Sequence, residues 1–260
     1  VVKRIVAAVA VVTVAMGLTS CVKFVQETLR DEHTIKDQIA TVRVQNGSGD
    51  AFVRSSDQAT EVRIVRTFNF SKSMDAPPKD TYRTEGSTLV LEGCGNQCSV
   101  DYEVVVPAKD VKIVGENSSG DVRFEDLASV EIDLGSGNAT LKGISGAVRL
   151  ENNSGDVNAT DVGGDFTGQL GSGNATLTGM RGAVSVDNNS GDLIVKMAQV
   201  KPVRAEAGSG NVDVRVPAGA YKVEAGSGSG NTDVSVKSDP AATVDLVLRA
   251  NSGDVTLHAA

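Results

Sequence analysis

From residue 120 onward the apolar positions of the chain keep a fixed register against one short polar motif. Ser-Gly-Asp or Ser-Gly-Asn recurs with its third residue at Asp121, Asn138, Asp156, Asn174, Asp192, Asn211, Asn231 and Asp254. One residue after it stand Val122, Ala139, Val157, Ala175, Leu193 and Val212. Three after it stand Phe124, Leu141, Ala159, Leu177, Val195 and Val214, and six after it Leu127, Ile144, Val162, Met180 and Ala198. A weaker Gly turn falls half-way ("ISGAV", "VGGDF", "MRGAV"), followed by pairs two apart such as Val130/Ile132, Val148/Leu150 and Val184/Val186. Period two puts alternate side chains on one face of a strand. The residues between, such as Arg123, Lys142, Arg149 and Asn158, are polar and face water. Each unit is therefore strand, turn, strand, turn.

The intervals between motifs are 17, 18, 18, 18, 19, 20 and 23 residues, and an earlier copy, "GSGD", ends at Asp50. One unit cannot bury its apolar stripe alone, but stacked units can, each pairing its backbone with the next at about 4.8 Å. The pattern predicts an all-β protein: one parallel β-solenoid over residues 40–260, with coils of about 18–20 residues. Residues 40–115 form irregular N-terminal coils and 116–260 the regular ones. A β-sandwich of hairpins also shows regular turns, but its strands do not hold one inward register over eight motifs.

Stacking gives the motif a structural meaning. Gly permits the positive φ of a sharp corner, and Ser or Asx side chains bond turn backbone. Asp in every coil would set carboxylates about 4.8 Å apart, a repulsion of roughly 1 kcal/mol in water. Alternating Asn doubles that spacing to about the Debye length, and Asn can ladder through its amide. In chain order Asn211 and Asn231 interrupt the alternation. The C-terminal "DVTLHAA" is a strand-like run with no evident cap, so that end is expected to be frayed, covered by a side loop or paired with a partner.

Composition narrows the core. There is no Trp, aromatics are 3% and Gly is 28 of 260, so small aliphatic side chains must fill the interior. Net charge is −8, which argues against nucleic acid as a partner. Residues 1–20 read as a signal peptide: Lys3 and Arg4, then an uncharged run from Ile5 to Leu18. The run ends in "LTSC", which resembles a bacterial lipobox and makes Cys21 the expected lipid attachment and mature N-terminus. Loss of residues 1–20 moves the charge from −8 to −10, so acyl chains rather than a protein face would hold the domain at the membrane. Residues 21–39 are expected to be the lipidated Cys and a charged tether, part of it helical. The other cysteines, Cys94 and Cys98 in "EGCGNQCS", fit a small disulfide loop in an exported protein, ahead of free thiols or half of a metal site.

The first third adds "TVRVQNGSGDAFVR", "TEVRIVRTFNF" and then "LVLEG", "DYEVVVP" and "VKIVGENSSGDV" leading into the repeats. That succession, over residues 40–260, resembles the bacterial "putative adhesin" family, domains of unknown function. The resemblance implies a β-solenoid on an exported or membrane-anchored protein; it brings no catalytic residues and no cofactor. Other chemistries fit less well. Calcium β-rolls use a nine-residue Gly-rich tandem, whereas Asp here marks alternate longer units. "GSGSGN" at 226–231 lacks the G-K-[ST] of a phosphate loop and reads as a lengthened turn. Asp133 and Glu151 could serve as acid and base on a polysaccharide, but acidic residues recur all along the chain and aromatic sugar platforms are scarce. The reading is a non-enzymatic, membrane-anchored surface module that binds an unknown protein or cell-wall polymer. An envelope accessory or sensor acting on a membrane partner, and a polysaccharide-active enzyme, stand behind it.

Overall fold

The computed structural model describes residues 26–74 and 76–260; residues 1–20, expected to be a signal peptide, and Cys21, the expected lipid attachment, lie outside them. The described chain is all-β, with a 12-stranded and an 11-stranded sheet facing each other. Setting aside the antiparallel strands Gln26–Ile35, Val62–Ser71 and Tyr82–Glu85 leaves ten strands in each sheet. These are the two sides of ten stacked coils, nine of them running up one sheet, round a Ser-Gly corner and along the other, the tenth turning through residues 93–97 between Thr88–Glu92 and Cys98–Val106. The protein is a single β-solenoid.

Register follows the repeat. Val130 pairs with Val148 and Val148 with Phe166 in one sheet; Ala139 pairs with Val157 and Val157 with Ala175 in the other. Because the register is kept coil after coil, like residues form files. Val122, Ala139, Val157, Ala175, Leu193 and Val212 are all buried, as are Phe124, Leu141, Ala159, Leu177, Val195 and Val214. Each such side chain removed from water contributes about 1.5–3 kcal/mol if fully buried, less for Ala. Volumes compensate within the stack: Gly168 takes an inward place, and the Phe166 ring fills the space beside it.

One inward position differs from the pattern. Ala198 is exposed and Met197 takes its place in the core, pairing with Met180. The register shifts there because the Ala175–Met180 strand carries an irregularity around Gly179, whose φ is 74°.

The coils do not stack in chain order at either end. The coil of Thr41–Asn46 and Ala51–Ser55 lies between that of Thr88–Glu92 and Cys98–Val106 and that of Lys112–Ser119 and Val122–Glu125. At the other end, the coil of Asp245–Ser252 and Val255–Ala259 inserts between Val203–Val216 and the coil of Lys222–Ser229 and Thr232–Val234. The final run "DVTLHAA" is therefore an internal strand, covered by the coil that precedes it in sequence.

The segment expected to be a tether is instead a strand from Gln26 onward. Gln26–Ile35 pairs antiparallel with Val62–Ser71, which pairs antiparallel with Cys98–Val106. Its charges hid an alternation: Leu29, Asp31, His33 and Ile35 lie opposite Phe68, Arg66, Ile64 and Val62. The fully buried Arg66 takes an apolar place in this file, and Asp31 answers it through Nε (2.9 Å) and Nη2 (2.6 Å). Thr81 Oγ1 and the Lys79 carbonyl accept from Nη1, and the guanidinium lies over Phe68 and Tyr82. Arg63–Glu32 and Arg30–Glu103 flank this pair on the outer side.

Two predictions test this framework. Gly155 has φ 122°, and a Cβ there would fall well under 3.0 Å from the Gly137 carbonyl. Gly155→Ala should cost about 2–4 kcal/mol in urea unfolding; an unchanged midpoint would contradict the stacking. Burial pushes the Asp31 carboxyl up, but the bonds and charge of Arg66, with His33, outweigh it and hold it below the ordinary carboxylate value. Its stabilising contribution is then present above the unfolded value and lost as pH falls through the lowered folded one. Asp31→Ala should strip that acid dependence and speed amide exchange in Gln26–Ile35, at a cost of about 3 kcal/mol for leaving Arg66 unpaired.

Candidate functional site

The repeated polar corners form one continuous column. Each Asx side chain accepts, through Oδ1, the backbone N–H of the Asx one coil on. Asn138 N–H donates to Asp121, Asp156 to Asn138, Asn174 to Asp156, Asp192 to Asn174 and Asn211 to Asp192, at 2.8–3.0 Å. The column continues to Asp254, which donates to Asn211 (2.9 Å), and ends at Asn231, which donates to Asp254 (2.8 Å). The break in alternation seen in chain order is absent in space. Inserting the Asp254 coil between Asn211 and Asn231 gives strict Asp, Asn, Asp, Asn from Asp121 to Asn231.

Alternation also supplies bonds that a column of carboxylates could not make. Asn138, Asn174, Asn211 and Asn231 each donate an amide hydrogen from Nδ2 to the Asp Oδ1 below, at 3.1–3.4 Å. At the opposite end the rule lapses: Asp50 N–H donates to Asp101 and Asp121 N–H to Asp50, so three carboxylates follow one another. Burial, then the charge of Asp50, push the Asp101 carboxyl above its ordinary value, partly offset by the Asp50 N–H it accepts.

A second file, not singled out from the sequence, lies inside the corner. Asn46, Asn117, Asn152 and Asn188 are buried. Asn152 donates to the carbonyls of Gly155 in its own coil (3.1 Å) and Gly137 in the coil before (3.2 Å); Asn188 does the same with Gly191 and Gly173. Leu134 and Leu170 occupy the alternate places in this file. The signal was present in "ENNSGDV" against "QLGSGNA": as far as Asn211 the residue four before Asp is Asn, and four before Asn is Leu or Ala, whereas Ala250 precedes Asp254 and Ser227 precedes Asn231. Gly135, Gly171 and Gly208 sit one residue later in the Asn-type coils, where a Cβ would strike the carbonyl of Ser118, Asn153 or Asn189. From the Asp121 coil to the Asn211 coil the repeating unit is thus two coils.

The far turns repeat the theme in part. Asp126 and Asp161 hold positive φ, and their carboxylates fill the space where a Cβ on Gly143 or Gly179, one coil on, would sit.

The remaining candidates fall apart from this column. Cys94 and Cys98 form a disulfide, closing the outermost corner at the N-terminal end. Asp133 and Glu151 are register neighbours on the outer face of one sheet, and Glu151 is held by Arg149 at 2.5 Å. Ser-Gly-Ser-Gly-Asn ends the strand Lys222–Ser229 and turns the last corner. Among the described residues no group of three or more His, Cys, Asp or Glu is placed to hold a metal ion. An open trough of about 660 Å³ crosses the outer face beside the corner column, lined in part by Gln169, Asp187, Asn189, Glu206 and Arg249.

The family model described as Toastrack DUF4097 matches residues 78–258. The chain belongs to that family. Among solved structures it is similar to a "putative cell adhesion protein" from Clostridium sporogenes, at 13% identity, covering 90% of this chain and 100% of that one, with a TM-score of 0.31. It is also similar to a "putative adhesin" from Bacteroides fragilis, at 13% identity, covering 90% and 97% of the two chains, with a TM-score of 0.40. A search of curated proteins finds no match.

The column makes a charge prediction. Asn174→Asp sets three carboxylates in succession, the new one between Asp156 and Asp192, and removes the Nδ2 bond. It should cost about 1–2 kcal/mol at neutral pH and low salt, with much of the loss recovered in about 1 M salt or on acidification. Equal unfolding midpoints at low salt would show that charge plays no part in the alternation.

Proposed function

We propose that the protein is a non-enzymatic, adhesin-like binding module, lipid-anchored through Cys21 and displayed outside the cytoplasm. The supporting observation is polarity along the rod. Ten coils at about 4.8 Å make a stack roughly 43 Å long. Its first strand begins at Gln26, at the end closed by the disulfide and the antiparallel strands. Four residues separate Cys21 from Gln26, and the five steps reach at most about 18 Å. An anchor at Cys21 therefore directs the closed end to the membrane and the last coil outward.

Charge follows the same polarity. Residues 22–85 carry ten basic and ten acidic side chains, whereas residues 86–260 carry 13 basic and 23 acidic. A neutral base and an acidic body suit a rod held off an anionic surface. The corner carboxylates accept hydrogen bonds that join the coils, which leaves the outer faces and the free end as the places for a partner, a protein or cell-wall polymer.

Radiolabelled palmitate should enter the wild-type protein and not Cys21→Ala, and that variant should leave the membrane fraction. A purified chain beginning at Gln26 should be captured by isolated cell envelopes in a saturable way. Retention of Cys21→Ala on membranes removes the anchor; failure of saturable capture removes the binding role. Turnover in a polysaccharide panel, lost in Asp133→Asn, would replace both with an enzyme.

A further inference from the structure

The two ends of the solenoid are finished differently. The N-terminal end is closed by antiparallel strands and the disulfide loop. The other ends on the coil of Lys222–Ser229 and Thr232–Val234, where every residue from Gly228 to Ser235 is exposed. Val234 is one of two large exposed hydrophobic residues among those described, and Val223 and Ala225 are only half-buried on the core.

The open corner presents a specific set of unfilled groups. Within the stack, the next coil completes each Asn-type corner through its backbone, as at Asn211, where Gly210 N–H donates to the Ser252 carbonyl, Val212 N–H to that of Asp254 and Asp254 N–H to Asn211 Oδ1; at Asn138 and Asn174 a buried Asn amide joins them. Gly137 N–H donates to the Ser154 carbonyl and Ala139 N–H to that of Asp156. Asn138 Oδ1 accepts from Asp156 N–H, and the Gly137 carbonyl accepts from Asn152 Nδ2. The Asn174 corner is completed in the same way, by Ser190, Asp192 and Asn188. At the open end the equivalent groups are the N–H of Gly230 and Thr232, Asn231 Oδ1 and the Gly230 carbonyl. Among the described residues none of them has a partner.

We infer that this end is a docking surface for a partner polypeptide carrying an Asn-x-Ser-Gly-Asp corner between alternating apolar strands. Such a corner adds one coil by backbone pairing. Its Ser and Asp carbonyls take the two N–H groups, its Asp N–H binds Asn231 Oδ1, and its inward Asn binds the Gly230 carbonyl. A second folded copy does not supply it. The Asn-x-Ser-Gly-Asp corners at Asp156 and Asp192 are paired on both sides within their own stack, and the terminal coil of a copy is of the Asn type. Lys222, Glu224 and the glycines of the edge disfavour indiscriminate strand addition. The inference goes beyond the binding role proposed above, which does not specify where a partner sits.

The test uses the full chain and a labelled synthetic peptide with the sequence of residues 148–160, VRLENNSGDVNAT. Anisotropy should report saturable binding, and amide exchange should slow at 222–234 and nowhere else. A peptide changed at Asn152→Leu and Asp156→Asn should bind at least fivefold more weakly. On the protein, Asn231→Asp should weaken the parent peptide by a similar factor at low salt, while Thr176→Ala on an outer face should not. No binding at millimolar peptide, equal binding of both peptides, or protection away from 222–234 would each overturn the docking surface. Envelope capture that persists when the peptide fails to bind would sink this inference alone and leave the binding role standing.

Discussion

The structure depends on one close approach: at the corner, backbone lies against backbone. Each Ser-Gly corner rests so near the carbonyl one coil below that a β-carbon would be forced well under 3.0 Å from it, as at Gly137, Gly155, Gly173 and Gly191. Nothing but glycine fits, and the positive φ that glycine tolerates turns the chain from one sheet to the other. With the corners pinned, the strands on either side must stack in register. The apolar files and the Asx column are consequences of that pinning.

The same closeness explains a repeat of two coils within an apparent repeat of one. Identical corners would place carboxylate over carboxylate and side chain over side chain in too little space. The chain resolves both conflicts by alternation. Asp faces Asn in the outer column, buried Asn faces Leu in the inner one, and Gly135, Gly171 and Gly208 yield room to the carbonyl of the preceding coil. At the far turns Asp126 and Asp161 occupy the space left by Gly143 and Gly179. From Asp121 onward the outer column and the far turns obey one constraint: a charged group in one coil meets a neutral or small one in the next.

Much of this was legible in the sequence because the motif is both periodic and geometrically demanding. Ser-Gly-Asp/Asn set the register, and the apolar offsets of one and three residues named the core correctly from Val122 to Val214. Three features were not legible, for physical reasons. Gln26–Ile35 reads as polar because it is an edge strand whose inward file includes Asp31 and His33, paired to a buried Arg66. The buried amides of Asn152 and Asn188 look like surface residues in a polar turn, since only the fold shows that their carbonyl partners have no other donor. Coil order was hidden most completely. A periodic pattern states what stacks on a coil, not which copy, and the longer intervals before Asn231 and Asp254 were its only trace.

That hidden order has an energetic consequence. In a simple solenoid the terminal coil contacts one neighbour and frays first, because stability is a sum of nearest-neighbour terms. Here the coil at each end is joined to the next-but-one coil in space, with a later stretch of chain between them at the Asn231 end and an earlier one at the other. For the coil at Asn231 to peel away, the chain on both sides must move, since its N-terminal side leads from the Asn211 coil and its C-terminal side enters the Asp254 coil beneath it. The outermost coil is thus tethered twice into the stack, although beyond Val223, whose N–H donates to Ser238 Oγ, its outer edge is bare. A bare edge without fraying is what an end needs if it is to keep its donors and acceptors in place for an incoming strand.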